Sequence, residues 1–312
     1  MAVVFYILLS ILLLILASGA YVFILACVRR KELPWMVEEE IKKTNYAKYY
    51  NCIVASNAWL KSHNAQDIYI TSHDGLKLHG FWIPAENPRG TILLAHGYRS
   101  TMLVDFGLAF AFYHALGMNI LVPHQRAHGE SEGRFITFGV KESEDMRVWI
   151  DYHNRTYGKH QLILSGLSMG ASTVLYLANQ SLPENVKCII ADCGFTSPMD
   201  ILGVVYRSVV HIPPGPSLWA ADLFAKIFAE FSLKKKDTRK VLRNAKLPVL
   251  MIHGLDDDFV PSYMTQQGFD ACTGDKELLM VAKAGHGTSF LVDKEAYTMR
   301  VISFLEKHLE DF

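Results

Sequence analysis

The pattern of apolar and polar residues separates an apolar N-terminal run from a longer region in which strands and helices alternate. Val3 to Val28 contains no charged residue. At the helical rise this run is roughly 39 Å long, more than the ~30 Å hydrocarbon core of a bilayer. A basic cluster at residues 29–31 follows directly, whereas the tail before the run has no lysine or arginine. Because a cleaved signal peptide begins with a basic region, we interpret residues 1–31 as an uncleaved single-pass membrane anchor with its basic flank.

The charges beside the anchor predict which side of the membrane the remaining chain occupies. Basic residues next to a transmembrane helix favour the cytoplasmic side, so residues 29–31 predict a cytoplasmic domain. The five cysteines form no Cys-x-x-Cys pair and no visible disulfide framework, which fits a reducing compartment. The alternative is a secretion signal-anchor, which would leave the domain outside the cell.

Apolar residues recur at three- and four-residue spacing from Val37 to about Leu60. This spacing predicts an amphipathic linker helix within residues 32–66. Its aromatic side chains could face lipid headgroups or pack on the domain that follows, and we favour packing.

The region from Asp67 to the C-terminus shows the pattern of an α/β domain. "DIYITSHDGLKLHGFWIPA" predicts two strands joined by a hairpin at Asp74-Gly75. Six further aliphatic strands then alternate with helices: "GTILLAHG", "MNILVPHQR", "HQLILSG", "VKCIIADC", "LPVLMIHG" and "KELLMVAKAGH". Continuous aliphatic strands alternating with helices predict a mostly parallel sheet covered on both faces.

The segment of residues 197–245 interrupts this alternation, because it has helical signals and no strand. It lies where an insertion would cover the carboxyl ends of the strands, which is where open α/β sheets bind ligands. We therefore predict a helical cap over the functional site.

"LILSGLSMGAST" places Ser168 between Gly166 and Gly170, after a strand and before a helix. Gly-x-Ser-x-Gly in this context is typical of a nucleophile elbow, a sharp turn that lifts the serine hydroxyl above the sheet. The same turn directs the backbone N–H of Met169 toward a developing negative charge.

A serine nucleophile needs a base, an acid and an oxyanion hole. His286, in the loop after the last strand, is the best candidate base. "HGLDDDFVP" offers Asp256, Asp257 and Asp258 as the acid, and chemistry alone does not choose among them. The second oxyanion donor is expected in the loop after "TILLAHG", at the N–H of Tyr98.

Taken together, "LLAHGYRS", "HQRAHGESEG", "GLSMGA", "ADCGFTSP", "IHGLDDDFVP" and "AGHG" resemble the serine-aminopeptidase-like branch of the α/β hydrolases. The pattern His-Gly-x-x-Asp-x-x-Val-Pro of that branch selects Asp257 as the acid. The resemblance also implies that the Tyr98 and Met169 amides form the oxyanion hole. His124 stands where relatives usually carry a structural aspartate, which affects local packing more than catalysis, so His124 and His128 are weak catalytic candidates.

These features predict a membrane-anchored serine hydrolase that cleaves a carboxylic ester or related acyl bond through an acyl-enzyme. The expected partners are a small acyl or ester substrate, with lipid-derived esters among the candidates, and the membrane through residues 3–28. The alternatives are a peptidase or acyltransferase on the same triad and a non-catalytic membrane scaffold. No metal or organic cofactor is expected, and the net charge of zero gives no support to nucleic-acid binding. Since every catalytic motif lies beyond Asp67, removal of residues 1–31 is expected to leave an active domain.

Overall fold

The computed structural model describes residues 1–30, 47–211 and 213–312. Lys31 of the basic flank and the first part of the predicted linker helix, including Val37 and Ile41, lie outside the described residues.

A single mixed sheet of eight strands forms the centre of the domain. Its order is β1-β2-β4-β3-β5-β6-β7-β8, with β2 antiparallel to both neighbours and every later pair parallel. The strands are β1 (Gln66–Thr71), β2 (Lys77–Ile83), β3 (Gly90–Ala95), β4 (Met118–Pro123), β5 (Leu162–Leu167), β6 (Val186–Asp192), β7 (Val249–Gly254) and β8 (Lys276–Val281). The predicted hairpin and the predicted, mostly parallel sheet are both confirmed.

Helices cover both faces of this sheet and its carboxyl edge. They are α1 (Ala2–Cys27), α2 (Tyr50–Ser62), α3 (Met102–Ala115), α4 (Glu142–Thr156), α5 (Met169–Leu175), α6 (Pro198–Val210), α7 (Gly215–Phe228), α8 (Thr238–Leu242), α9 (Tyr263–Ala271), α10 (Ser289–Val292) and α11 (Lys294–His308). Side chains fix several of the starts: Thr101 accepts from the Val104 N–H, and Ser197 accepts from the Asp200 N–H. Residues 197–245, predicted as a cap, contain α6, α7 and α8.

The aliphatic strands are buried because apolar helices pack on each side of them. Phe110 on α3 and Phe304 on α11 belong to the core on one face of the sheet, and Trp149 on α4 belongs to the core on the other. The described part of the predicted linker, α2, also packs on the domain: Leu60 is buried in the first core, and Trp59 stacks on Phe110 at 6.3 Å between ring centroids.

Helix α1 has two parts with different surroundings. It is long and apolar enough to cross a membrane, by length and composition, and residues 2–14 are exposed along its whole circumference. From Gly19 onward it packs beside α7, so closely that a side chain at Gly19 would collide with Ala220. Phe23 is buried there and faces the rings of Phe224 and Phe228, at 6.4 and 6.3 Å between centroids.

The residues just after α1 continue this attachment through hydrogen bonds. Val28 forms a β-bridge with Phe135, and the Arg29 guanidinium donates to the carbonyls of Gly129 and Ser131 at 2.6 and 2.7 Å. The sequence interpretation treated the anchor as separate from the catalytic domain, whereas the C-terminal part of α1 packs on α7. Hydrophobic periodicity reports that a helix is apolar, but it does not report which protein surface the helix packs against.

Candidate active site

The nucleophile elbow is formed by the sharp passage from β5 to α5. Ser168 has φ 57° and ψ −117°, a conformation that L-residues rarely adopt and that costs of order 1–3 kcal/mol. A Cβ at Gly166 would collide with the backbone of Gly170, and one at Gly170 would collide with the carbonyl of Ala95. The two glycines are therefore required by close backbone approach on either side of the serine.

Ser168, His286 and Asp257 form one continuous hydrogen-bonded chain. Nε2 of His286 lies 2.9 Å from Oγ of Ser168, and Nδ1 lies 2.7 Å from Oδ2 of Asp257. An ionised carboxylate only accepts hydrogen bonds, so the Nδ1 atom carries the proton. The Nε2 lone pair is therefore free to accept the serine proton.

Burial separates the three adjacent aspartates. The Asp257 side chain is inaccessible to solvent, whereas Asp256 and Asp258 are exposed. Oδ1 of Asp257 also accepts the N–H groups of Phe259 and Val260, at 3.0 and 2.8 Å, which fixes the carboxylate plane. Only Asp257 is turned toward the imidazole.

His253, the first residue of the His-Gly-x-x-Asp sequence, supports that carboxylate from the far side. Its Nε2 lies 3.1 Å from Oδ2 of Asp257 and 2.8 Å from the Val260 carbonyl, and its Nδ1 lies 2.6 Å from Oγ1 of Thr265. Burial alone would raise the pKa of Asp257, but the hydrogen bonds from His253 and His286 outweigh burial and hold that pKa below its usual range. Asp257 is therefore ionised at neutral pH.

Among the described residues, the Tyr98 amide differs from those of its two neighbours in having no acceptor, and the Met169 amide at the start of α5 has none either. Gly97 N–H donates to Asp105 at 2.5 Å, and Arg99 N–H donates to Nε2 of His128 at 3.0 Å. Within the described part of the chain, the Tyr98 and Met169 amides donate no hydrogen bond. Two unused donors on adjoining loops are what an oxyanion hole requires.

Asp105 supports the Tyr98 loop, and sequence reasoning missed it. Its carboxylate accepts the Gly97 N–H and, at 2.6 Å, the Ser100 hydroxyl. Burial raises the pKa of Asp105 to about 6, against the effect of those two hydrogen bonds. The sequence does contain a signal for Asp105, because an acidic residue lies in the first turn of α3, the helix after the His96-Gly97 loop.

The other histidines near the site have structural roles. His128 accepts the Arg99 N–H through Nε2 and donates from Nδ1 to the Arg126 carbonyl, and burial lowers its pKa to about 4. His124 meets Nδ1 of His79 at 3.0 Å, and burial lowers its pKa to about 4 as well. His124 therefore fills the place of the usual aspartate by pairing with another imidazole.

Among the residues that the structure describes, two groups of side chains have donor atoms close enough to hold a metal ion, and neither group is well suited to one. Cys193 lies beside Asp257 and His286, but burial raises its thiol pKa, and the other two already bond to each other. The second group contains Asp74 and Asp145, both of which are paired with Arg126, whose charge opposes a cation.

Ser168 opens into a cavity of about 500 Å³, within the usual size range of small-molecule sites. None of the described residues that line it carries a charge. They are Ser18, Tyr21, Val22, Leu25 and Ala26 from α1, Tyr98, Phe138, Ser168 and Phe195 from the strand-end loops, Ile201, Leu202, Val205, Tyr206, Val209 and Val210 from α6, and Phe259 and Val260. The contribution of α1 was not predicted, because that helix was assigned to the membrane alone.

Comparison with known proteins agrees with this architecture. Residues 90–215 match the family model of the alpha/beta hydrolase fold. YqkD, an uncharacterized protein of Bacillus subtilis, is 28% identical over 76% of this chain and 78% of its own. Protein bem46 of Schizosaccharomyces pombe is 24% identical over 77% of this chain and 76% of its own.

Among solved structures, the esterase Pf2001 of Pyrococcus furiosus superposes with a TM-score of 0.64 at 24% identity, covering 80% of this chain and 94% of that one. At this identity the likeness shows the fold and not the substrate. The sheet topology and the matched family model together show that the chain has an α/β-hydrolase fold.

Proposed function

We propose that this protein is a membrane-anchored serine hydrolase that cleaves carboxylic esters with an apolar acyl group. The observation that carries the proposal is the hydrogen-bonded chain Ser168–His286–Asp257, which ends at an uncharged cavity. A binding module or scaffold has no need of a serine in a strained conformation beside a correctly protonated imidazole.

In the acylation step, Oγ of Ser168 attacks the ester carbonyl carbon while Nε2 of His286 takes the hydroxyl proton. The tetrahedral oxyanion is stabilised by the N–H groups of Tyr98 and Met169. The ester C–O bond then breaks, and the alcohol leaves with the proton held by His286. Asp257 keeps the imidazole oriented and stabilises its cationic form.

In the deacylation step, a water molecule occupies the place of the alcohol. His286 removes one proton from it, the resulting hydroxide attacks the acyl-enzyme, and Ser168 leaves with that proton. The products are one carboxylic acid and one alcohol for each ester and water consumed. These steps require no cofactor to supply protons or electrons.

The composition of the cavity supports an apolar acyl group. Side chains such as Phe138, Ile201 and Val205 offer dispersion contacts and no hydrogen bonds to a peptide backbone. A peptide in this cavity would leave its amide groups unsatisfied at a cost of about 1–3 kcal/mol each. An acyl chain leaves none unsatisfied.

The proposed anchor is α1, and the proposed location of the domain is the cytoplasmic side. Support comes from Arg29 and Arg30, which follow the helix directly. A C-terminal tag protected from protease in intact cells or spheroplasts, and digested after permeabilisation, is the expected result. Digestion of the tag in intact cells would contradict the cytoplasmic location and would show that the domain lies outside the cell.

A fluorophosphonate probe tests the chemistry directly. The wild-type protein should label at Ser168 and hydrolyse p-nitrophenyl butyrate, whereas Ser168→Ala should not label and should lose about 10⁶-fold in turnover, as serine-triad variants do in subtilisin. Ser208→Ala is the matched control, because Ser208 is exposed on α6, does not line the cavity, and bonds only to the Val205 carbonyl. Equal labelling of Ser168→Ala and wild type would refute the assignment.

A further inference from the structure

The cavity beside Ser168 is a channel, and one of its walls is helix α1. At the inner end, the Ala26 carbonyl accepts the Tyr98 hydroxyl at 2.8 Å. At the outer end, the Ser18 hydroxyl meets the Ser217 hydroxyl of α7 at 2.9 Å. The lining residues of α1 extend from Ser18 to Ala26, about 12 Å at the helical rise.

The opposite wall is α6, which runs outward from the loop that follows β6. Its lining residues begin at Ile201, close to the strand ends, continue through Val205, and finish at Val209 and Val210. Val209 is 72% exposed, so the channel is open at this end. The channel therefore leads from Ser168 along α1 to a mouth between Ser18 and the end of α6.

The length of α1 sets the depth of this mouth relative to a bilayer. The fully exposed residues 2–14 extend for about 20 Å, whereas a hydrocarbon core is about 30 Å thick. The remaining distance has to be spanned by the part of α1 that packs on α7, which contains Ser18 and Tyr21. Tyr21 is 64% exposed, and tyrosine favours the boundary between hydrocarbon and headgroups. The mouth of the channel is therefore at the surface layer of the membrane.

The cap presents an apolar surface beside α1 at the same boundary. Trp219, Leu223 and Ile227 are spaced by four residues, so they form one stripe on the outer face of α7, and Phe228 adjoins them. All four are exposed, Trp219 to 55% and Ile227 to 60%. We call these four residues the cap patch. Exposure of an apolar stripe to water is unfavourable, whereas its contact with lipid is favourable.

We propose that the cap patch and α1 seat the domain in the membrane surface, and that the channel receives the acyl chain of a lipid ester directly from the hydrocarbon. The chain lies between α1 and α6 with its carbonyl at Ser168. The alcohol part faces the solvent side of the site, where Phe259 is 41% exposed beside His286. This inference rests on the ester hydrolysis proposed above, and it adds the class of substrate and the path by which it enters.

Fluorescence quenching tests the seating without any use of activity. The full-length protein is reconstituted in phosphatidylcholine vesicles whose acyl chains carry bromine near the headgroup. In a Trp35→Phe, Trp59→Phe background, which leaves three of the five tryptophans, Trp219 emission should be quenched. Trp219→Phe in this background should remove most of the quenched component, since Trp82 and Trp149 are buried in the domain. A quenched component that is the same with and without Trp219→Phe would overturn the seating of the cap.

A ratio of two activities tests the path of the substrate. The rate of monooleoylglycerol hydrolysis in vesicles is divided by the rate of hydrolysis of soluble p-nitrophenyl butyrate. Carboxylates are disfavoured in contact with hydrocarbon, so the double variant Trp219→Glu, Ile227→Glu should lower this ratio by about tenfold or more. Met299→Glu is the matched control, because Met299 is 58% exposed on α11 and should leave the ratio unchanged.

The outcomes separate this inference from the proposed function. If Ser168 labels with fluorophosphonate and the short ester is hydrolysed, but the double variant keeps the wild-type ratio, the inference about lipid entry is wrong and the hydrolase assignment stands. If Ser168 does not label and neither ester is hydrolysed, the proposed function fails, and this inference fails with it.

Discussion

The two ends of the channel are stabilised by different kinds of interaction. At the inner end, Ser168, His286 and Asp257 are fixed by directional hydrogen bonds of 2.7 to 2.9 Å. At the outer end, α1, α6 and α7 meet mainly through apolar side chains and a close approach at Gly19, with one hydrogen bond between the Ser18 and Ser217 hydroxyls. The inner end therefore depends on the identity and direction of single atoms, whereas the outer end depends on the volume and apolar character of side chains.

The largest effect should come from changing one atom at the inner end. Asp257→Asn cannot stabilise the imidazolium and favours the wrong tautomer, which costs about 10⁴-fold in turnover in a serine protease. Asp256→Asn and Asp258→Asn are matched controls, because both aspartates are exposed. Steady-state hydrolysis of p-nitrophenyl butyrate measures all three, and similar small losses would remove Asp257 from its proposed role.

The packing of α1 on the cap should be the next largest effect. Phe23→Ala empties a buried site between aromatic rings and should lower the free energy of unfolding by about 3–5 kcal/mol. Phe5→Ala is the control in the same helix, since Phe5 is 61% exposed. Denaturant titration in detergent micelles compares the two variants. Equal costs would mean that α1 does not dock on the domain.

Asp105 should produce a smaller effect that depends on pH. Burial raises its folded pKa to about 6, whereas an unfolded aspartate titrates near 3.9. The folded state then binds the proton more tightly, so the stability that Asp105 contributes is complete below about pH 4 and is lost as pH rises through about 6. The unfolding free energy of wild type minus that of Asp105→Asn should therefore fall between pH 4.5 and 7.5. A difference that is constant or rises over this range would contradict the prediction.

The smallest effect should come from the hydrogen bond that attaches α1 to the inner end of the channel. The Tyr98 hydroxyl donates to the Ala26 carbonyl, and Tyr98→Phe removes this bond while keeping the ring and the backbone N–H. The expected loss is about 1 kcal/mol of unfolding free energy, with the turnover of the short ester reduced less than tenfold. A loss of turnover as large as that of Asp257→Asn would show that the phenol itself takes part in the chemistry.

Most of the fold could be predicted because its signals are local. The eight strands are runs of aliphatic residues bounded by turns, and every one is present in the sheet. The prediction that removal of residues 1–31 leaves an active domain was made without knowing that α1 lines the cavity. The packing between α1 and α7 could not be predicted, because it joins segments about two hundred residues apart.

The site residues that could be predicted from the sequence are those whose residue type is required by the backbone geometry. The elbow at Ser168 has a sequence signature because its two glycines are sterically required. Asp257 could not be separated from its neighbours by composition, because burial distinguishes the three acids and the sequence does not record burial. Asp105 was missed for a related reason, since its role depends on where α3 begins relative to the Tyr98 loop.

The attachment of α1 also constrains the order in which the molecule is made. The carbonyl that accepts from Arg29 belongs to a residue one hundred positions later, and Ser217, which meets Ser18, is 199 positions later. At 5–20 residues per second, translation from Ser18 to Ser217 takes roughly 10–40 s. With α1 as the proposed membrane anchor, this helix would enter the bilayer before α7 leaves the ribosome. The wall of the cavity that α1 forms with α7 would then be completed late in biosynthesis.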